Sequence, residues 1–93
     1  MGITKHAFER AATRGVGRDL LYRAMAFNSE YYSCEFGNGS NIKRIFNEIN
    51  LLIKLTEDEI SQEDFDSLKN LCLVVNKSGE TLITVYKKNL IRN

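Results

Sequence analysis

The run "LCLVVNKSGETLITVYKKN" near the end of the chain constrains the fold more than any other stretch. Two β-rich segments, residues 71–76 and 81–88, flank "NKSGE", where Gly79 supplies the turn. A lone hairpin is at best marginally stable in water, so one of its faces needs an apolar covering layer. Leu73, Val75, Ile83 and Val85 are the residues expected to meet that layer.

The N-terminal third supplies helices for it. Thr4 is placed as the N-cap of a helix that runs to Arg14 and stops at Gly15. Ala7, Phe8, Ala11 and Ala12 form its packing side. A second helix enters through Gly17, with Leu20, Leu21, Ala24, Met25 and Asn28 on one face and Arg18, Asp19, Tyr22 and Arg23 outward. The tight turn between them suits a helix-turn-helix, but the second helix lacks a row of exposed base-reading side chains.

In the middle, "SEYYSCEF" predicts a strand and "GNGSN" a turn. Ile42, Ile45, Phe46, Ile49, Leu52 and Ile53 recur at helical spacing and predict a helix capped by Ser40 or Asn41. The β-branched end of that run, "LLIKL", leaves a strand open there. Thr56 and Glu59 stand at capping-box spacing, opening a short acidic helix that would add little core. The expected architecture is one α+β domain over residues 1–93. N-terminal helices pack on a small antiparallel sheet, with a helical insertion in the middle.

Composition narrows the function classes. A chain of 93 residues with 43% hydrophobic and 27% charged residues is globular rather than disordered. Thirteen basic and 12 acidic residues give a net charge of +1, so strong bulk attraction to nucleic acid is not implied. The charge is unevenly placed. Lys5, Arg10, Arg14, Arg18 and Arg23 crowd the first 28 residues, whereas residues 57–66 hold six acids and no base. One histidine with Cys34 and Cys72, neither in a CxxC pattern, does not make a zinc site, and no cofactor motif is present. The two cysteines read as buried thiols of a reducing compartment, with pairing left open. Without an apolar leader or a run of about 20 apolar residues, a cytoplasmic location off the membrane is expected.

The residues suited to chemistry are few. Histidine ordinarily titrates near about 6.5, which suits His6 to proton transfer. His6, Arg10 and Arg14 drift only about 80° around a helix axis and share one face. Metal-free RNA cleavage needs an acid, a base and cations that hold the phosphate. Arginine suits the last role because its planar fork grips phosphate oxygens bidentately. Such a stripe is also the ordinary solvated face of an amphipathic helix. On the last strand, Thr84, Tyr86 and Lys88 share a face by the period-2 rule, and a phenol there could donate to a phosphate or simply sit at a sheet edge. Tyr31 and Tyr32 would stack on unpaired bases or pack as strand residues.

Both ends of the chain carry a resemblance. "ITKHAFERAATRGV" and "LITVYKK" resemble the opening and closing motifs of a family of uncharacterised bacterial and phage domains. That family is similar to the ribonuclease-toxin superfamily of barnase, EndoU, colicin D and RelE types. The resemblance covers roughly residues 3–28 and 71–88 and does not extend over residues 37–70. It implies N-terminal helices on an antiparallel sheet and a site where helix meets C-terminal strands. His6 would transfer protons, Arg10 and Arg14 would hold the scissile phosphate, and Thr84 and Tyr86 would complete the pocket. Lys5, Arg18 and Lys88 would bind flanking substrate. The function so implied is a small ribonuclease toxin acting on transfer or messenger RNA, neutralised by an antitoxin or immunity protein. The alternative is a non-catalytic phage or mobile-element protein that binds and inhibits a host protein. Nucleic-acid binding without cleavage is a third reading.

Overall fold

The computed structural model describes residues 2–36, 39 and 41–87. Chain order is β1 (Gly2–Ile3), α1 (Lys5–Thr13), α2 (Arg18–Met25), one 3-10 turn (Ser29–Tyr31), β2 (Tyr32–Phe36), β3 (Ile42–Phe46), α3 (Glu48–Thr56), α4 (Gln62–Leu68), β4 (Leu71–Val75) and β5 (Thr81–Lys87). The strands form one sheet in the order β1-β5-β4-β3-β2. Neighbours from β2 to β5 run antiparallel, and β1 lies parallel to β5. The α+β class is as the sequence predicts. The sheet is mixed rather than purely antiparallel because β1, two residues long, is too short to leave a periodic pattern.

The terminal elements form for the expected reasons. The Thr4 hydroxyl accepts from the Ala7 amide at 3.1 Å, and Gly15, at φ +76°, ends α1 in the left-handed region that favours glycine. α2 buries Leu20, Leu21, Ala24 and Met25. In the β4–β5 turn, the Asn76 side-chain oxygen accepts from the amides of Glu80 and Thr81. Gly79 suits that turn through its φ of +77°, a left-handed conformation that favours glycine.

The middle departs from the periodic reading. Residues 42–46 are a strand, and the helix starts only at Glu48, capped by Asn47 through the Ile49 amide. The apolar positions 42, 45 and 46 fit helical spacing because both faces of the sheet take apolar side chains here. Phe46 enters the core, whereas Ile45 pairs with Cys72 on the other face. Arg44 takes the core-side position between Ile42 and Phe46. Its guanidinium lies 5.0 Å from the Tyr32 ring centroid and donates to the Gly79 carbonyl. Asn41 precedes β3 and caps nothing, and Ser40 lies outside the described residues. Thr56 ends α3 rather than opening a helix, and Ser61 caps α4 by accepting from the Asp64 amide at 3.0 Å. The acidic segment also contributes Ile60, Phe65 and Leu68 to the core, more than its composition suggests.

All four helices contribute to one cluster with Phe46, Leu71, Leu73, Val75, Leu82 and Val85. The helices therefore cover one face of the sheet. Leu82 takes the place expected for Ile83. The β4–β5 register shifts between Val74↔Thr84 and Val75↔Leu82, and this bulge turns Ile83 out of the core. Lys87, opposite Leu71, reaches across to α4 and donates to the carbonyls of Ser67 and Lys69 at 2.6 and 3.2 Å. Those carbonyls are among the ones a helix end leaves unsatisfied. Burial holds the Lys87 amine below its ordinary range.

Candidate functional site

α1 is fixed to the sheet by polar ties as much as by packing. Ala7 and Ala11 are buried against the core, each contributing roughly 0.8 kcal/mol for a methyl-sized group. A Thr N-cap contributes about 1 kcal/mol, a comparable amount. Thr4 does more than cap. Its amide donates to the Leu82 carbonyl at 3.1 Å, and its hydroxyl donates to the Ile83 carbonyl at 2.8 Å. The first turn of α1 is thereby registered on β5.

With the alanines against the sheet, His6, Arg10 and Arg14 are all exposed, as their shared face predicts. Arg10 and Arg14 stand at the C-terminal end of α1, where cations are favoured by the helix dipole. The ion pairs among described residues join Arg23 to Asp64, Lys54 to Glu30, Glu57 and Glu59, and Lys69 to Asp66. No described carboxylate pairs with Lys5, Arg10, Arg14 or Arg18.

Lys5 and Arg18 belong to a different flank. Together with Ile3, Phe8, Glu9 and Ala12 they line an open cleft of about 630 Å³. Arg18 stacks 4.0 Å above the Phe8 ring centroid, and Phe8 leans on Tyr22 at 5.8 Å. Lys5 and His6 are turned about 100° apart on the helix, so the cleft and the histidine stripe diverge. The Phe8–Arg18 stack is the feature that helical spacing alone missed. Its trace in the sequence is the short Gly15–Gly17 turn, which folds α2 back onto α1.

Thr84 and Tyr86 are not brought to α1. Val85 faces the helices, so its neighbours point to the opposite face of the sheet. There Tyr86 pairs with Cys72 and Thr84 with Val74. Hydrogen bonding to the Cys72 side chain, followed by burial, pushes the Tyr86 phenol up to about 12. It holds its proton more tightly than an ordinary phenol. Lys88 lies outside the described residues.

The other candidates are structural. Tyr31 is buried beside Phe27, and Tyr32 packs edge-on to Phe46. Cys72 is buried on β4, as expected, but Cys34 is exposed on β2, and no disulfide joins them. Lys54 pairs with Glu57 and Glu59 of the acidic segment, and its hydrogen bond to Glu30 raises its pKa. Among the described residues, no group of three or more His, Cys, Asp or Glu side chains is placed to hold a metal. No described helix is long and apolar enough to cross a membrane. Compared with known proteins, the chain matches no family model, no curated protein and no solved structure.

Proposed function

We propose that the protein acts on RNA through the solvent flank of α1, as a small metal-independent ribonuclease of toxin type. Arg10 and Arg14 grip backbone phosphates and His6 moves the proton. His6 takes the proton of a 2′-hydroxyl, the 2′ oxygen bonds to phosphorus, and the bond to the 5′ oxygen breaks. The imidazolium then returns its proton to that oxygen, leaving a 2′,3′-cyclic phosphate and a 5′-hydroxyl. The support is one observation. The sole histidine and two arginines without a described carboxylate partner share the exposed flank of a helix clamped to β5. An arginine without a carboxylate partner keeps its fork for a phosphate. Residues one helical turn apart lie about 5–6 Å from each other at Cβ, close enough to meet one phosphate. The likeness of "ITKHAFERAATRGV" to a family of uncharacterised domains, itself similar to the ribonuclease-toxin superfamily, points to the same residues. Thr84 and Tyr86 are left out of the site because they face the other way.

The test is digestion of total RNA in EDTA. The wild type should produce cyclic-phosphate ends. His6→Ala should lose at least about a hundredfold in rate, the usual share of general acid–base catalysis. Tyr86→Phe should stay within a few-fold. RNA that survives the wild type and His6→Ala equally overturns the proposal and leaves the host-protein inhibitor as the better account.

A further inference from the structure

The two edges of the sheet are β1 and β2, and among the described residues nothing pairs with the outer side of β2. β2 reads YSCEF and leaves Ser33, Cys34, Glu35 and Phe36 exposed. Edge strands are commonly protected by proline, lysine or a bulge. β2 has none of these, and its register with β3 is unbroken over all its residues.

The ladder fixes which backbone groups look outward. The Asn47 amide donates to the Tyr31 carbonyl at 2.9 Å, one step beyond the Tyr32↔Phe46 pair. Antiparallel ladders alternate, so Tyr31, Ser33 and Glu35 turn their amides and carbonyls toward β3. Tyr32, Cys34 and Phe36 turn theirs to the open edge.

We infer that this edge pairs with β2 of a second copy of the chain, antiparallel about Cys34, forming a two-fold dimer with one continuous sheet. In that register Cys34 faces the second copy's Cys34, and Tyr32 faces the second copy's Phe36. All three outward-turned residues exchange both backbone hydrogen bonds. Glu35, the only charge on the strand, meets Ser33 instead of another carboxylate. Phe36, 84% exposed in the single chain, gains an aromatic neighbour.

A second patch lies on the same side. Lys54 and Asn50 of α3 hold Glu30, just ahead of β2, through an ion pair and a hydrogen bond to its carbonyl. Ile49, Leu52 and Ile53 form an apolar stripe on α3, 70, 51 and 48% exposed. Of the described large hydrophobic side chains that are exposed, only Tyr22 lies away from this side. A two-fold axis normal to the sheet keeps the helices of both copies on one face, so both α3 stripes flank the seam. The α1 flanks stay free at the far ends, so the dimer stands or falls independently of the ribonuclease proposal.

Sedimentation of the full chain over a wide concentration range tests this. Twice the 10.7 kDa chain mass is expected, with a short bifunctional maleimide joining Cys34 to Cys34 in the wild type and not in Cys34→Ser. Phe36→Lys and Cys34→Pro should sediment as monomers with unchanged circular dichroism, since an edge strand tolerates proline where its N–H faces solvent. Should Cys34→Pro unfold, Phe36→Lys decides, because Phe36 is exposed in the monomer. A monomeric wild type at the highest concentration overturns the proposal. So does a dimer that survives Phe36→Lys.

Discussion

The two edges of the sheet are finished in opposite ways. At one, β1 adds only Gly2 and Ile3, yet Thr4 ties that edge to β5 with two hydrogen bonds, one from its amide and one from its hydroxyl, and sends the chain straight into α1. At the other, β2 is more than twice as long and offers its outer backbone to whatever comes. The contrast teaches that ladder length does not decide which edge is closed. One threonine that caps a helix and bonds to a strand anchors an edge that two residues of ladder alone would hold weakly. A regular, exposed strand remains open however well it pairs on its inner side.

Four measurements would break or sharpen this contrast. The largest effect belongs to Leu82→Ala, which removes a fully buried side chain beside the closed edge and should cost about 2–5 kcal/mol by urea denaturation. Phe36→Ala at the open edge, in solutions dilute enough to be monomeric, should stay within about 0.5 kcal/mol. Equal losses would erase the difference between the edges. Thr4→Val keeps the shape of the side chain and removes the hydroxyl. We expect a loss of about 1–2 kcal/mol, with faster hydrogen exchange at the Ala7 amide. Unchanged exchange throughout α1 would show that the helix does not depend on its tie to β5.

A smaller effect is expected at high pH. The folded state holds the Tyr86 proton up to about 12, against about 10 for an unfolded tyrosine. Its contribution is full below pH 10 and is lost as the pH rises from 10 to 12. The melting temperature of Tyr86→Phe should therefore fall less steeply than that of the wild type in that window. A small effect is also expected of Arg23→Ala, which breaks the exposed α2–α4 ion pair and should cost less than about 1 kcal/mol. Hydrogen bonding from Arg23 lowers the Asp64 pKa, so that contribution is present above about pH 4 and fades as Asp64 takes up its proton below it. A loss of the same size at pH 2 and pH 7 would argue that the pair acts by packing instead.

The ends of the chain were legible in the sequence because each carries one unambiguous periodicity and its own punctuation. Thr4 and Gly17 mark helix starts, and Gly15 and Gly79 mark turns whose left-handed backbone glycine adopts cheaply. Residues 42–47 were not legible, because a strand half-covered on both faces carries apolar residues at intervals that continue the helical spacing of α3. Asn47, a capping residue in the middle of that apolar run, marked the break. The bulge at Ile83 and the core-side position of Arg44 were beyond reach of pattern, since both depend on which strands become neighbours. The candidate site divides likewise. The exposure of His6, Arg10 and Arg14 follows from local helical geometry, whereas the side of the sheet on which Tyr86 lies follows from long-range topology.

The parallel pairing of Gly2 with Thr81 and of Ile3 with Leu82 has a consequence for synthesis. Gly2 and Ile3 wait for Thr81 and Leu82 before they have a strand to lie against. Until β5 is complete, Thr4 has no carbonyls to bond and the alanine face of α1 has no sheet beneath it. Contacts between such distant parts of a chain form late and slowly. The His6 flank of α1 would therefore be assembled only once β5 has formed, and a chain interrupted before β5 would carry the complete helix sequence without the platform that presents it.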